Sequence, residues 1–384
     1  MSAALPAGCW RPGRCSADER PARWLGRALA LGLLGATVSP LGAQPWAPGQ
    51  EPPSPRRPAP LAEARALERL RRDDPGPDLR RRYLQAAHTL LQRYWNSREL
   101  PRLLLAGDSA QGCGAGVVRE PMAFYCPQSL EIAMALDLGR SLRSARGKTP
   151  RELLLLELAV LAHEWGHHVN REQGRGPYGG GLGLTVRQEE LAADWRTGML
   201  FGWLLREGVI DVDAYTQTAN LMFELGDYER ITPQHHGYPK DRFAALSQGM
   251  ATQLSAGQQL GRWSVDTSET FSQPLPGEPH RYAVRRFEID RGHQIATNLI
   301  GGLLGAASCL WGSQQQCLGM ALEQGKGRAE GTYTSRILTL DCASGRFDVS
   351  GDDFGPQPIS RDGKGQAAVL AARDCPRMPG LGTQ

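Results

Sequence analysis

The stretch 159-AVLAHEWGHHVN-170 sets His163 and His167 four residues apart, with Glu164 beside the first, inside a run that is otherwise apolar. Upstream, 149-TPRE-152 signals a helix start: Thr149 can cap, Pro150 suits the first helical position and Glu152 completes a capping box. The apolar pattern then holds to about Gln173, where Gly174 and Gly176 break it. That is roughly 36 Å of helix, apolar almost all the way round, and so a central buried helix. Residues four apart lie only about 40° apart around a helix axis, so His163 and His167 project from one face. Two imidazoles at this spacing can take two corners of a tetrahedral metal site, while Glu164, one step round, reaches a water on the open corner. With 8 His in 384 residues, chance alone supplies HExxH about once per hundred such chains. The bland reading, a core helix with hydrogen-bonded histidines, is weak. Burying Glu164 beside two imidazoles without a metal costs several kcal/mol or forces neutralisation.

A third protein ligand is needed, and His168 points about 140° away from His163. The acidic candidates lie in 188-QEELAAD-194, on a helix announced by 185-TVRQ-188. Glu190 and Asp194 share a face of that helix, and Ala192 and Ala193 between them permit close helix approach. Glu190 is thus expected to complete a His-His-Glu set for one zinc ion, and Asp194 to accept a hydrogen bond from the far nitrogen of a ligand histidine. Glu189, about 100° off this face, is expected in solvent.

HExxH followed by ExxxD resembles the gluzincin metallopeptidases. More narrowly, 94-YW-95, 113-CG-114, 124-FYCP-127, 163-HEWGHHV-169, 190-ELAAD-194 and 236-HGYPKDR-242 occur in the order seen in the bacterial neutral zinc metallopeptidase family. The resemblance covers roughly residues 90–250. It implies a zincin-like fold, His163, His167 and Glu190 as zinc ligands, Glu164 as catalytic base, and a late element containing His236 and Arg242. The chain departs from the family at Trp165, in the Gly-rich loop 174-GRGPYGGGLG-183, at Trp195 where the family usually has Cys, and throughout the C-terminal region. A tetrahedral oxyanion would need a donor besides the metal. His236, just before a helix start, is the candidate, with His235 and Tyr238 as alternates; the bland reading of 235-HHGYP-239 is a loop entering a helix.

Around this centre the chain divides in composition. The arginines Arg11, Arg14, Arg20, Arg23 and Arg27 precede the apolar run 28-ALALGLLGATV-38, and 41-LGA-43 suits signal-peptidase cleavage, so residues 1–43 read as a signal peptide. An uncleaved N-terminal anchor is the rival reading, and the one that would put the chain on a membrane. Without residues 1–43 the formal charge of +4 falls to about +1, which leaves no nucleic-acid footprint. The segment 44–62 reads as a Pro-rich linker, residues 63–262 as the metallopeptidase domain, and 263–384 as a β-rich region, from 280-HRYAVRRFEID-290 and 331-GTYTSRILTLDC-342. Helices are expected over 61–73, 78–97, 185–206, 212–226 and 239–253, and short strands around 100-LPRLLLAGDS-109 and 122-MAFYCP-127. The stretch 295-IATNLIGGLLGAASCLWG-312 reads as a soluble buried helix rather than a membrane span.

Six cysteines remain after the leader, an even set that reads as disulfides in an exported, periplasmic or secreted protein. Cys113–Cys126 brackets a short loop; Cys309–Cys317 and Cys342–Cys375 are the other expected pairs. The whole is an α+β chain: a mainly helical zincin-like metallopeptidase domain with a small β-rich, disulfide-containing C-terminal region. Its expected partner is a peptide or protein substrate. Competing readings are an exported binding or scaffold protein that kept a structural zinc, and a zinc hydrolase of non-peptide amides. The intact Glu164 argues against the first of these, since scaffolding needs no base there.

Overall fold

The computed structural model describes residues 60–376 apart from 74–75, 77, 114–115, 120–121, 137, 175–185, 227–236, 291–329, 353 and 364. Two helices come first, α1 (Leu61–Asp73) and α2 (Leu79–Trp95), close to their predicted spans. Asn96, in the left-handed conformation at φ 51°, ends α2. Strands β1 (Arg102–Leu105), β2 (Met122–Cys126) and β3 (Glu131–Ala135) form a sheet of order β1-β3-β2, with β1 parallel and β2 antiparallel to β3. The sequence gives no strand signal at 131-EIAMA-135, which is made mostly of good helix formers. Burial overrides propensity there: all five residues are buried in the middle strand. The one-turn α3 (Leu138–Ser141) follows.

The central helix, α4 (Pro150–Glu172), begins with the anticipated capping box: Thr149 Oγ1 accepts the Glu152 amide at 3.3 Å, and the Glu152 carboxylate accepts the Thr149 N–H at 2.8 Å. From Leu154 to Asn170 every residue except His167 is buried, which matches its all-round apolar sequence. Helices α5 (Val186–Arg206) and α6 (Val212–Glu224) pack against it, and α7 (Pro239–Ala251) packs on α5 and α6. Asp211 caps α6 through the Ala214 amide, and Pro239 stands at the start of α7.

Strands take over at Gln259, close to the expected change near 262. β4 (Gln259–Leu260), β5 (Trp263–Thr267), β6 (Thr270–Leu275), β7 (Glu278–Asp290), β8 (Glu330–Asp341), β9 (Arg346–Val349) and β10 (Gln357–Pro358) make an antiparallel meander in chain order. Alternation along β7 serves two cores. Phe287 faces the helices, stacked at 3.7 Å on Phe243 of α7 and 5.2 Å from Phe223 of α6. Tyr282 and Val284 face the other way, into an apolar cluster completed by Leu370 and Ala371 of α8 (Gln366–Asp374). Helices and sheet therefore share one core, in which Phe271 and Val265 join Leu246 and Tyr215.

Two of the expected disulfides are present: Cys113–Cys126 ties the loop after β1 to β2, and Cys342–Cys375 ties the end of β8 to the end of α8. Cys309, Cys317, the apolar stretch 295–312 and the leader lie outside the described residues. Among the described residues no helix is long and apolar enough to cross a membrane.

Trp165, the departure inside the motif, holds α2 against α4. Its indole N–H donates to His88 Nδ1 at 2.9 Å, while Nε2 of the same imidazole donates to the Pro101 carbonyl at 2.7 Å. A protonated His88 could not accept from Trp165. Burial in this setting lowers its pKa to about 4, against the opposing bond to Pro101. The unfolded chain, with an ordinary histidine near 6.5, then binds the proton first as pH falls. The His88 contribution is full above pH 6.5 and is lost between 6.5 and about 4, for a total of about 3 kcal/mol. Denaturant unfolding at stepped pH should show this slope in the wild type and a shallower one in His88→Gln, whose amide can make both bonds without titrating. Equal slopes would remove His88 from the account.

Candidate metal centre

The site forms where α4 crosses α5. A Cβ on Gly166 would lie 2.7 Å from the Ala193 Cα, so the two helices touch backbone to backbone at this point. That approach brings the ligand atoms together. His163 Nε2 and His167 Nε2 are 3.1 Å apart, Glu190 Oε2 is 3.2 Å from the former and Glu190 Oε1 3.7 Å from the latter. A tetrahedral cation with bonds of about 2.0–2.1 Å separates its ligand atoms by about 3.3 Å. His163, His167 and Glu190 could therefore hold a metal ion, each contributing one ligand atom within 4.8 Å of the others.

Asp194, one turn beyond Glu190, sits 2.8 Å from His163 Nδ1 and accepts its proton, leaving Nε2 to face the other two ligands. Asp194 is fully buried and is itself clamped by Arg242 of α7, whose Nε and Nη2 donate to its two oxygens at 2.7 and 2.8 Å. The remaining Arg242 nitrogen donates to the Leu225 carbonyl at 3.1 Å. Burial alone would raise the Asp194 pKa; the Arg242 charge and hydrogen bonds, with His163, outweigh it and hold the carboxyl below the usual range. Burial likewise opposes a charge on His163, yet Asp194 and Glu190 together raise its pKa to about 10. The surroundings thus favour positive charge at this imidazole.

Small residues position α7 as they do α5. A Cβ on Gly198 would collide with the Leu246 carbonyl, and one on Gly249 with the Trp195 carbonyl. Arg187 of α5 pairs with Asp241 of α7. Gly237, at φ 105°, turns the chain into α7 against the Arg242 side chain.

A cavity of about 410 Å³ opens over the three ligands. Glu164 lines it and is 7% exposed, and among the described residues nothing hydrogen-bonds its carboxylate. Ala123, Phe124 and Tyr125 of β2 form one wall, with Leu136, Val160 and Leu225 as apolar neighbours. The sequence does not mark the edge of β2, unpaired among the described residues, as part of the site, although 124-FYCP-127 carries the residues.

Glu189 departs from expectation. Instead of facing solvent it lines the cavity, its side chain 13% exposed and Oε1 3.5 Å from His167 Nδ1. The first turn of α5 runs along the cavity mouth, so Val186, Glu189 and Glu190 all reach it, and a 100° offset does not separate them. Tyr238 precedes α7, with the Arg187 guanidinium 4.8 Å over its ring, and is not among the cavity-lining residues. His235 and His236 lie outside the described residues.

A second group, Glu99, His168 and Glu172, also brings ligand atoms close. Here the carboxylates are already used. Glu172 Oε1 accepts from Ser97 Oγ, the Arg98 amide and the Glu99 amide at 2.9–3.1 Å, and Glu99 pairs with Arg171 at 2.8 Å. His168 is held by Tyr125 and Ser97, both at 3.1 Å. This group clips the end of α4 to the turn after α2.

Compared with models of known protein families, with curated proteins and with solved structures, the chain matches none.

Removing Arg242 should leave Asp194 a buried carboxylate with only His163 for support. Arg242→Met is therefore expected to cost about 3–5 kcal/mol in the metal-free protein, read by denaturant unfolding in the presence of a chelator. A loss under about 1 kcal/mol would show that the clamp is dispensable.

Proposed function

We propose that the chain is an exported zinc-dependent metallopeptidase with a zincin-like catalytic domain. The observation that carries this reading is the convergence, in one cavity, of three ligand side chains and a carboxylate on the residue next to the first of them, which no group among the described residues hydrogen-bonds. Two imidazoles and one carboxylate at tetrahedral spacing suit zinc. A zinc ion bound there would polarise a carbonyl and lower the pKa of a water to about 7.

The chain's own residues do the rest. The Glu164 carboxylate accepts a proton from the attacking water and returns it to the leaving amine nitrogen. Asp194 keeps a proton on His163 Nδ1 and so holds Nε2 as the ligand atom, and Arg242 keeps Asp194 ionised. Phe124, Val160 and Leu225 give the cavity apolar lining. A peptide, rather than another amide, is favoured by β2. Its outer edge is unpaired among the described residues and borders the cavity, offering backbone donors and acceptors to an extended chain. The two disulfides support an oxidising compartment and hence an exported protein, periplasmic or secreted.

The test uses the chain produced in an oxidising compartment, with zinc quantified and a broad peptide library as substrate. Wild type should hold one zinc per chain and cleave; Glu190→Ala should lose the metal. Glu164→Gln should keep the metal and lose about 10²–10⁴-fold in turnover. Undiminished turnover in Glu164→Gln would sink the mechanism, and folded wild type that takes up no zinc would leave a binding protein.

A further inference from the structure

The two ligand histidines present matching problems. Both direct Nε2 toward the other ligands, so each has its Nδ1 on the far side. A metal-bound imidazole usually donates that second N–H to a carboxylate, carbonyl or water, which fixes its tautomer and orientation and raises its basicity. For His163 the acceptor is Asp194. For His167 no hydrogen bond at Nδ1 exists among the described residues, and the carboxylate beside it is that of Glu189, with Oε1 at 3.5 Å.

Resting on the metal reading above, we infer that Glu189 is the positioning residue for His167. It accepts the Nδ1 proton and holds the ring for ligation, as Asp194 does for His163. Three features support this assignment. Both side chains are only 13% exposed, so the pair is largely shielded from solvent. Glu189 precedes the ligand Glu190 on the same turn of α5, so whatever seats Glu190 also seats Glu189. And unlike Asp194, whose two oxygens are taken up by Arg242, Glu189 has no cation within ion-pair distance among the described residues apart from His167. Among the described residues its acceptor capacity is therefore open to the imidazole. The consecutive acids of 188-QEELAAD-194 thus divide the work, Glu190 on the metal and Glu189 behind it.

Zinc affinity measured by competition with a chromophoric chelator tests this, with wild type, Glu189→Ala, Glu189→Gln and Glu190→Ala compared in the full chain. Glu189→Ala should still bind one zinc but about 10–100-fold more weakly. Its metal-free melting temperature should match wild type, which separates positioning from a merely structural role. Glu189→Gln, whose amide oxygen can still accept from Nδ1, should recover part of the affinity, and it remains interpretable if the alanine variant folds poorly. Wild-type affinity in Glu189→Ala would overturn the inference, as would loss of all zinc from Glu189→Ala, since that would make Glu189 a ligand. Wild type that binds no zinc fails the metal reading itself, whereas wild type that binds zinc and is unmoved by Glu189→Ala fails only this inference.

Discussion

Gly166 and Ala193 meet without side chains between them, and the geometry of the centre follows from that contact. Imidazole and carboxylate side chains are short. Ligand atoms 3.1–3.7 Å apart on two different helices require backbones closer than an ordinary Leu-on-Leu packing allows. The same device recurs one layer out, where Gly198 and Gly249 let α5 and α7 close until the Arg242 guanidinium spans to Asp194. The helices are thus held at short range by steric permission, and the polar groups inherit their distances from it.

That closeness concentrates charge. Glu164, Glu189, Glu190 and Asp194 bring four carboxylates into one region, and the buried Arg242 pairs with two of them, Asp194 and Glu190. A buried anion cluster of this kind is costly unless paired. The rise in the His163 pKa to about 10 expresses the same imbalance from the other side: the region stabilises an added positive charge strongly enough to overcome the burial penalty. The sheet contributes from a distance. Phe287 stacks on Phe243, one residue after Arg242, so packing of the C-terminal meander also seats the helix that clamps Asp194.

What could be read in the sequence was local. The capping box at Thr149, the shared face of His163 and His167, and the pairing of Glu190 with Asp194 all rest on helical periodicity within a few residues, and each has its structural counterpart. Less accessible were features set by tertiary packing. Arg242 stood in the late element without a defined role, because its partner Asp194 lies 48 residues away. A helical wheel puts Glu189 in solvent because it gives the direction of a side chain but not the slope at which the helix meets a cavity. The strand 131-EIAMA-135 was missed because its residues favour helix and only the central position in a sheet overrides them. The short strands β4, β9 and β10 carry too few residues for a period to register.

Helix α4 carries two His/Glu groups one residue out of phase, and the contrast shows why residue identity alone does not define a metal site. In the Glu99–His168–Glu172 group the Glu172 oxygen facing the histidine already accepts three donors, and both imidazole nitrogens have neutral partners in Ser97 and Tyr125. A cation entering there would have to displace bonds already made, for little gain. In the His163–His167–Glu190 group two Nε2 atoms and a carboxylate converge on one point, at a spacing that could hold a metal ion. The angular step of about 100° between His167 and His168 thus separates a hydrogen-bonded clip from a group that could hold a metal ion.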